Sequence, residues 1–204
     1  ADGKKLAASS IINPAKAQAQ PHLVVWDTTM WRVVYEHYSI NPPLNSVIGN
    51  IVWSPDGRSL AVNADEDGVY VFNTETNQIL SHQTDFGGTP ASISWSPDGL
   101  GIVSIGDVDN GIRRWKVATD EFVHMVDPCT GPVVQVAWSP DGKQIAFARV
   151  PLPQSGHFDS TTVRILDVAT RSIHSLNGAE RFQNNPEFSP DGQSVLYVYP
   201  RDGR

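Results

Sequence analysis

Trp53-Ser-Pro-Asp-Gly57 returns as Trp95-Ser-Pro-Asp-Gly99, as Trp138-Ser-Pro-Asp-Gly142 and, with phenylalanine first, as Phe188-Ser-Pro-Asp-Gly192. The four aspartates, Asp56, Asp98, Asp141 and Asp191, are 42, 43 and 50 residues apart. A period of this length marks units stacked side by side or arranged around an axis. The motif suits a hairpin turn. Serine can hydrogen-bond back to the turn's backbone and proline presets φ. Aspartate tolerates the third position, and glycine takes the left-handed φ that closes the hairpin with the right twist. The aromatic ends the preceding strand, where a large ring can wedge between neighbouring units.

Between these turns run short apolar alternations punctuated by turn residues, which is a strand pattern. In 133–176 the runs 133–138, 144–149, 162–167 and 172–176 make four strands, and 47–82 and 91–126 follow the same order. A second periodic turn comes later in each unit, at Asp27-Thr-Thr-Met30, Asn73-Thr-Glu-Thr76, Lys116-Val-Ala-Thr119 and Asp167-Val-Ala-Thr170. Each unit therefore reads as a four-stranded antiparallel meander that is apolar on both faces. Packing such sheets face to face around an axis covers both faces, which predicts an all-β fold of the β-propeller type. A parallel doubly wound sheet is disfavoured, because no amphipathic helical stretch separates the strands.

The segment Ala1-Asp-Gly-Lys-Lys-Leu-Ala7 matches the tail of the motif, Asp56-Gly-Arg-Ser-Leu-Ala61. In this register the chain starts inside one blade and ends after the second strand of another. The expected organisation is a single partial propeller, 1–204. It divides into a partial blade 1–37, whole blades 47–82, 91–126 and 133–176, and a partial blade 184–204. That is an arc of a larger ring, with a small ring closed by the two end pieces as the alternative.

Composition narrows the classes. The 204 residues are 40% hydrophobic and 18% charged, a soluble globular profile. A net charge of −7 argues against a general nucleic-acid binder. No apolar run approaches the roughly 18–20 residues needed to span a bilayer, so no membrane insertion is expected. The single cysteine, Cys129, forms no intrachain disulfide, leaving bacterial cytoplasm and periplasm both open. No signal-peptide pattern follows Ala1, and the repeat register favours a piece of something longer over a removed leader.

The aromatic-Ser-Pro-Asp-Gly turn, with Trp26-Asp27 closing a later strand, resembles the WD-repeat family and the WD-like repeats of TolB-type propellers. The resemblance covers essentially the whole chain and implies the propeller fold. The departures are clear. WD repeats carry a Gly-His pair about nine residues before the aromatic, whereas His37, His82, His124 and His174 stand 16, 13, 14 and 14 residues before it, none after a glycine. The Trp-Asp pair becomes Phe72-Asn73, Trp115-Lys116 and Leu166-Asp167. The segment Asn185-Pro-Glu-Phe-Ser-Pro-Asp-Gly192, with Arg201-Asp-Gly203, resembles the TolB-type pattern.

In such a fold the first-to-second and third-to-fourth strand turns share one face. The longer connections, at 10–22, 38–46, 83–90, 127–132, 150–161 and 177–183, share the other. Insertions in repeat arrays map to binding faces, and aromatics and arginine are the usual anchors. The candidate contacts are Tyr38, Phe86, His157, Phe158, Arg181 and Phe182. The turn residues Trp53, Asp56, Gly57, Trp95, Asp98, Gly99, Trp138, Asp141, Gly142, Phe188, Asp191 and Gly192 are given structural roles.

Catalytic and metal chemistry find little support. Asp107-Val-Asp-Asn-Gly111 and Asp65-Glu-Asp-Gly68 have the charge of a calcium loop but lack its closing glutamate. His157 and Asp159 have no third ligand. Gly99-Leu-Gly101 does not continue as a dinucleotide loop, and no Gly-x-Ser-x-Gly elbow occurs. No catalytic residue, metal or cofactor is nominated. The residues point to a non-catalytic interaction module for a protein or peptide. Its negative charge favours a neutral or basic partner, and its oligomeric state is left open. The alternatives are the propeller portion of a larger prolyl-oligopeptidase-like peptidase, inactive by itself, or of a sensor or kinase-attached receptor.

Overall fold

A computed structural model of the protein describes residues 3–12, 20–37, 49–64, 68–76, 78–84, 90–106, 111–126, 131–150, 161–176 and 184–198. These residues form seventeen strands and no helix. The chain divides into two compact units, 1–85 and 86–204.

The first unit holds two antiparallel sheets. One has three strands, β1 (Lys5–Ile12), β2 (Gln20–Asp27) and β3 (Arg32–His37). The other has four, β4 (Ile51–Trp53), β5 (Ser59–Asn63), β6 (Val69–Asn73) and β7 (Ile79–Gln83). The second unit holds three sheets. Strands β8 (Pro90–Trp95), β9 (Gly101–Gly106), β10 (Ile112–Lys116) and β11 (Glu121–Val126) make one. Strands β12 (Val133–Trp138), β13 (Gln144–Arg149), β14 (Thr162–Asp167) and β15 (Ile173–Ser175) make the next, and β16 (Asn184–Phe188) pairs with β17 (Val195–Val198). Every strand pairs with its neighbour in sequence, as a meander requires. One expectation is corrected: 10–22 is not all connection. The β1–β2 ladder continues to Ile12↔Gln20, because extending a hairpin satisfies backbone groups that a loop would leave to water.

The middle strands are buried on both faces. In β5, Leu60, Ala61 and Val62 are all fully buried, and in β13 so are Ile145, Ala146, Phe147 and Ala148. In the first unit Leu60, Val62, Tyr70 and Phe72 of one sheet pack with Leu23, Val25 and Tyr35 of the other, and Trp53 lies against this cluster. In the second unit Val103, Ile105, Ile112 and Met125 meet Val133, Val136, Trp138, Ile145, Phe147 and Leu166. The motif aromatics thus stand between sheets at Trp53 and Trp138. Each fully buried large aliphatic or phenylalanine side chain contributes about 1.5–3 kcal/mol relative to exposure. Serines from β8 add polar ties across the second interface. Ser92 and Ser94 accept hydrogen bonds from the Val136 and Trp138 amides at 3.4 and 3.3 Å.

The repeated turn is built around a serine hydroxyl. In each copy the glycine amide donates to the serine carbonyl, at 2.8–3.0 Å. Ser54, Ser96, Ser139 and Ser189 accept at Oγ from the amides of Ser59, Gly101, Gln144 and Ser194. Each Oγ also donates to the motif aspartate. The aspartate Oδ1 in turn accepts the amide two residues on, from Arg58, Leu100, Lys143 and Gln193. Aspartate is therefore an active member of the turn and not merely tolerated there. The four glycines have φ of +69°, +72°, +71° and +70°.

The second turn is capped by the residue in the aspartate position of Trp-Asp. Asp27 Oδ1 accepts the Thr29 and Met30 amides, Asn73 those of Glu75 and Thr76, and Asp167 those of Ala169 and Thr170. Where Lys116 replaces it, the Thr119 amide bonds to the Lys116 carbonyl instead, at 3.3 Å. In four of the five described sheets the second turn is laced back to the start of the hairpin, by Thr28 N to Lys4 O, Thr74 N to Arg58 O, Val117 N to Leu100 O and Val168 N to Lys143 O.

Successive motif turns also nest. A Cβ on Gly142 would stand 3.2 Å from Pro97 Cγ, and one on Gly192 3.6 Å from Pro140 Cδ, whereas nothing lies within 4 Å of such an atom on Gly57. Both Gly57→Ala and Gly142→Ala put a side chain in the left-handed region, costing about 1–2 kcal/mol. Gly142→Ala should cost more, by on the order of 1 kcal/mol, because the Pro97 ring must also shift. Urea denaturation of the two variants measures the difference.

Hydrogen bonding holds the motif carboxylates below the ordinary range. The Ser54 hydroxyl leads at Asp56, the Lys143 amide at Asp141 and the Ser189 hydroxyl at Asp191. At Asp98 burial acts upward, and bonds from Ser96 and Leu100 with the charge of Arg114 outweigh it. A depressed folded pKa gives stability that is fully present above the unfolded value, about 3.9, and is lost as pH falls through the folded values. Urea midpoints should therefore drop below about pH 4. The triple variant Asp56→Asn, Asp141→Asn, Asp191→Asn, which keeps the Oδ1 acceptors without a titrating group, should show a flatter acid limb.

Candidate functional site

The long connections leave each sheet at the end opposite the motif turns. Tyr38, Phe86, His157, Phe158, Arg181 and Phe182 lie outside the described residues, as do Cys129, Asp159 and the acidic residues of 65–67 and 107–109. What is described is the strand ends that launch them. The 150–161 connection leaves between Arg149 and Thr162, which face each other across β13 and β14, and the Val150 amide is tied to the Pro132 carbonyl at 2.8 Å. In the first unit the buried Tyr70 ring stacks on the exposed His82, with centroids 3.8 Å apart and planes 6° from parallel.

Among the described residues no group of three His, Cys, Asp or Glu side chains is placed to hold a metal. One polar chain has the residue types of a catalytic relay. Asp167 accepts from Thr170 Oγ1, which lies 2.8 Å from Ser172 Oγ, itself 3.2 Å from His174 Nε2. Its carboxylate serves Thr170 and not the imidazole, so it does not orient a base. Thr170, Ser172 and His174 are exposed on an outer hairpin.

At the motif-turn end each unit contains a cleft. In the second unit it measures about 340 Å³ and is lined by Pro97, Asp98, Arg114, Trp138, Pro140 and Gly142, among others. The Arg114 guanidinium lies 5.8 Å from the Trp138 ring centroid, and its Nη2 is 3.6 Å from Asp98 Oδ2. This is a cation–π contact closed by an ion pair. With Pro97 against Gly142, protein groups already occupy the inner wall.

The first unit's cleft measures about 310 Å³ and is built differently. Trp53 and Val34 supply apolar wall, Gly57 lines it without a proline against it, and Lys4, Lys5 and Arg58 stand around it with Asp27, Asp56 and Glu75. Lys5 Nζ donates to Thr74 Oγ1 at 3.2 Å. Asp27 and Asp56 are engaged by their own turns and held below the ordinary carboxylate range, chiefly by the Thr29 and Ser54 hydroxyls respectively. The turn that begins at Asp27 carries Met30 and Trp31, 66% and 74% exposed, with Trp31 at φ +50°. A bulky aromatic in that region is uncommon. The corresponding pairs in the other repeats are Thr76-Asn77, Thr119-Asp120 and Thr170-Arg171. That substitution is the signal in the repeat alignment for residues absent from the list of candidate contacts.

No family model matches the chain. It is 31% identical over 151 residues to the uncharacterized WD repeat-containing protein sll1491 of Synechocystis, covering 70% of this chain and 37% of that protein. It is 25% identical over 165 residues to Protein FIZZY-RELATED 2 of Arabidopsis thaliana, covering 79% of this chain and 32% of the relative. A further relative, the uncharacterized peptidase YuxL of Bacillus subtilis, is 28% identical over 155 residues, covering 71% of this chain and 20% of that protein. The chain thus spans about a third of the first two relatives' length. Among solved structures, TolB from Acinetobacter baumannii superposes with a TM-score of 0.70 at 20% identity, covering 98% of this chain and 48% of that one. With the four-strand meanders and laced double turns of every whole unit, these similarities give the chain the β-propeller fold, with a sequence similar to that of a WD repeat-containing protein.

Proposed function

We propose that the chain is a non-catalytic interaction module that binds a protein or peptide through the long connections at the ends of its sheets opposite the motif turns. The observation behind this reading is the contrast between the two ends. At one, identical hydrogen-bonded turns recur in four of the five described sheets. At the other, the connections differ in length and sequence from unit to unit. A rigid sheet presenting such segments keeps the ordering cost of binding low. The similarity to a WD repeat-containing protein supports an interaction role. The propeller blades 1–37, 47–82, 91–126, 133–176 and 184–204 would form an arc of a larger ring, the length of chain matched in TolB being consistent with this.

The peptidase-associated propeller has in its favour the similarity to YuxL, which covers a fifth of that protein. A downstream Gly-x-Ser-x-Gly followed by Asp and His in the parent reading frame would favour it. The interaction reading is tested by affinity capture with the intact chain and with residues 151–160 replaced by a short Gly/Ser linker. The expected result is a partner recovered by the first and lost by the second. Unchanged recovery would remove the 150–161 connection from the binding surface.

A further inference from the structure

We propose that Met30, at the tip of the β2–β3 hairpin, is a reversible oxidation site. A hydroperoxide converts it to the sulfoxide in the folded chain, and a methionine sulfoxide reductase restores it. The chain holds two methionines, and the fold treats them oppositely. Met125 on β11 is 6% exposed and lies in the apolar cluster of the second unit, whereas Met30 is 66% exposed. Oxidation of a thioether requires the oxidant to reach the sulfur. Met30 belongs to a short hairpin and not to the long connections, so the outcome of replacing 151–160 does not bear on it.

The exposure comes from the hairpin itself. Asp27 Oδ1 accepts the Thr29 and Met30 amides at 2.8 and 3.1 Å, which fixes the turn's backbone. Trp31, Asp120 and Arg171 have φ of +50°, +53° and +59°, so the same left-handed position recurs in three repeats. Thr119 and Thr170, in the place of Met30, are exposed too. Thr170 stays exposed although its sheet packs on β8 at one side and on β16 at the other, so a neighbouring sheet does not cover this position. The Thr170 hydroxyl bonds back to the capping carboxylate of Asp167. A thioether has no proton to donate, so Met30 cannot be drawn onto Asp27 in the same way.

The chemistry balances with hydrogen peroxide as oxidant. A sulfur lone pair attacks one peroxide oxygen, the O–O bond breaks, the S–O bond forms and water leaves. Sulfur gives up two electrons and the peroxide takes them. In the return step two thiols become a disulfide and the sulfoxide oxygen leaves as water. Met30 and Trp31, the latter 74% exposed, are adjacent apolar side chains at the tip, of a kind that anchors interfaces. The sulfoxide is polar, so oxidation changes the character of this tip and leaves the core untouched.

The test adds hydrogen peroxide to the intact folded chain and maps the product by peptide mass spectrometry. The first oxygen should appear on Met30, at least tenfold faster than on Met125. Dithiothreitol with a mixture of the two epimer-specific methionine sulfoxide reductases should remove it without denaturant. The singly oxidised chain should leave a hydrophobic-interaction column earlier than the reduced chain and keep the same urea midpoint. Met30→Leu should take up no oxygen at this stage, and Met125→Leu, a volume-conserving swap, should behave as the unaltered chain does. Comparable oxidation of Met125, or a first oxygen on a tryptophan, would overturn the proposal. So would unchanged elution, a lowered urea midpoint after single oxidation, or reductases that act only on the unfolded chain.

Discussion

Leu60 and Val62 on one face of β5 are fully buried, and so is Ala61 on the other. The same holds for Ile145 and Phe147 against Ala146 and Ala148 in β13. A sheet buried on both faces cannot end in water on either side, so each must have neighbours. That constraint explains the chain's other regularities. It needs repeats of near-equal length, strands in chain order, and a device that reverses the chain in the same way from repeat to repeat.

The Ser-Pro-Asp-Gly turn is that device. One hydroxyl serves the carboxylate and the returning strand's amide, and the carboxylate serves a second amide, so few backbone donors at the corner are left to solvent. The second turn repeats the logic with Asp27, Asn73 or Asp167 as the acceptor, and the lacing bond joins both corners. An end made this way is stiff and uniform. Variation is then cheapest at the opposite end, where strand ends carry long connections without disturbing the packing between sheets.

Most of the architecture could be read before the fold was known, because it rests on local chemistry. The Ser-Pro-Asp-Gly period set the unit, and strand alternation set its four members. Reading was weaker where neighbours in space decide. Residues 10–22 look like a connection, since Pro14, Pro21 and polar residues interrupt them, yet pairing carries both strands further. Asp56 looked merely permissible in a turn, because its role depends on where the Ser54 hydroxyl and Arg58 amide come to lie. The cleft beside Gly57 was not legible at all. Its residues come from three separate stretches, 4–5, 27–34 and 53–75.

By itself the sequence determined that this protein is all-β, that its unit is a four-stranded meander, and that glycine must follow Ser-Pro-Asp. These depend on period, alternation and φ, which act between near neighbours along the chain. Only the tertiary structure decided which glycine has a proline ring against it and which stands open. It also decided which arginine is spent on a tryptophan and an aspartate, as Arg114 is on Trp138 and Asp98. Those outcomes depend on what an adjacent sheet brings within a few ångströms, which no single repeat contains.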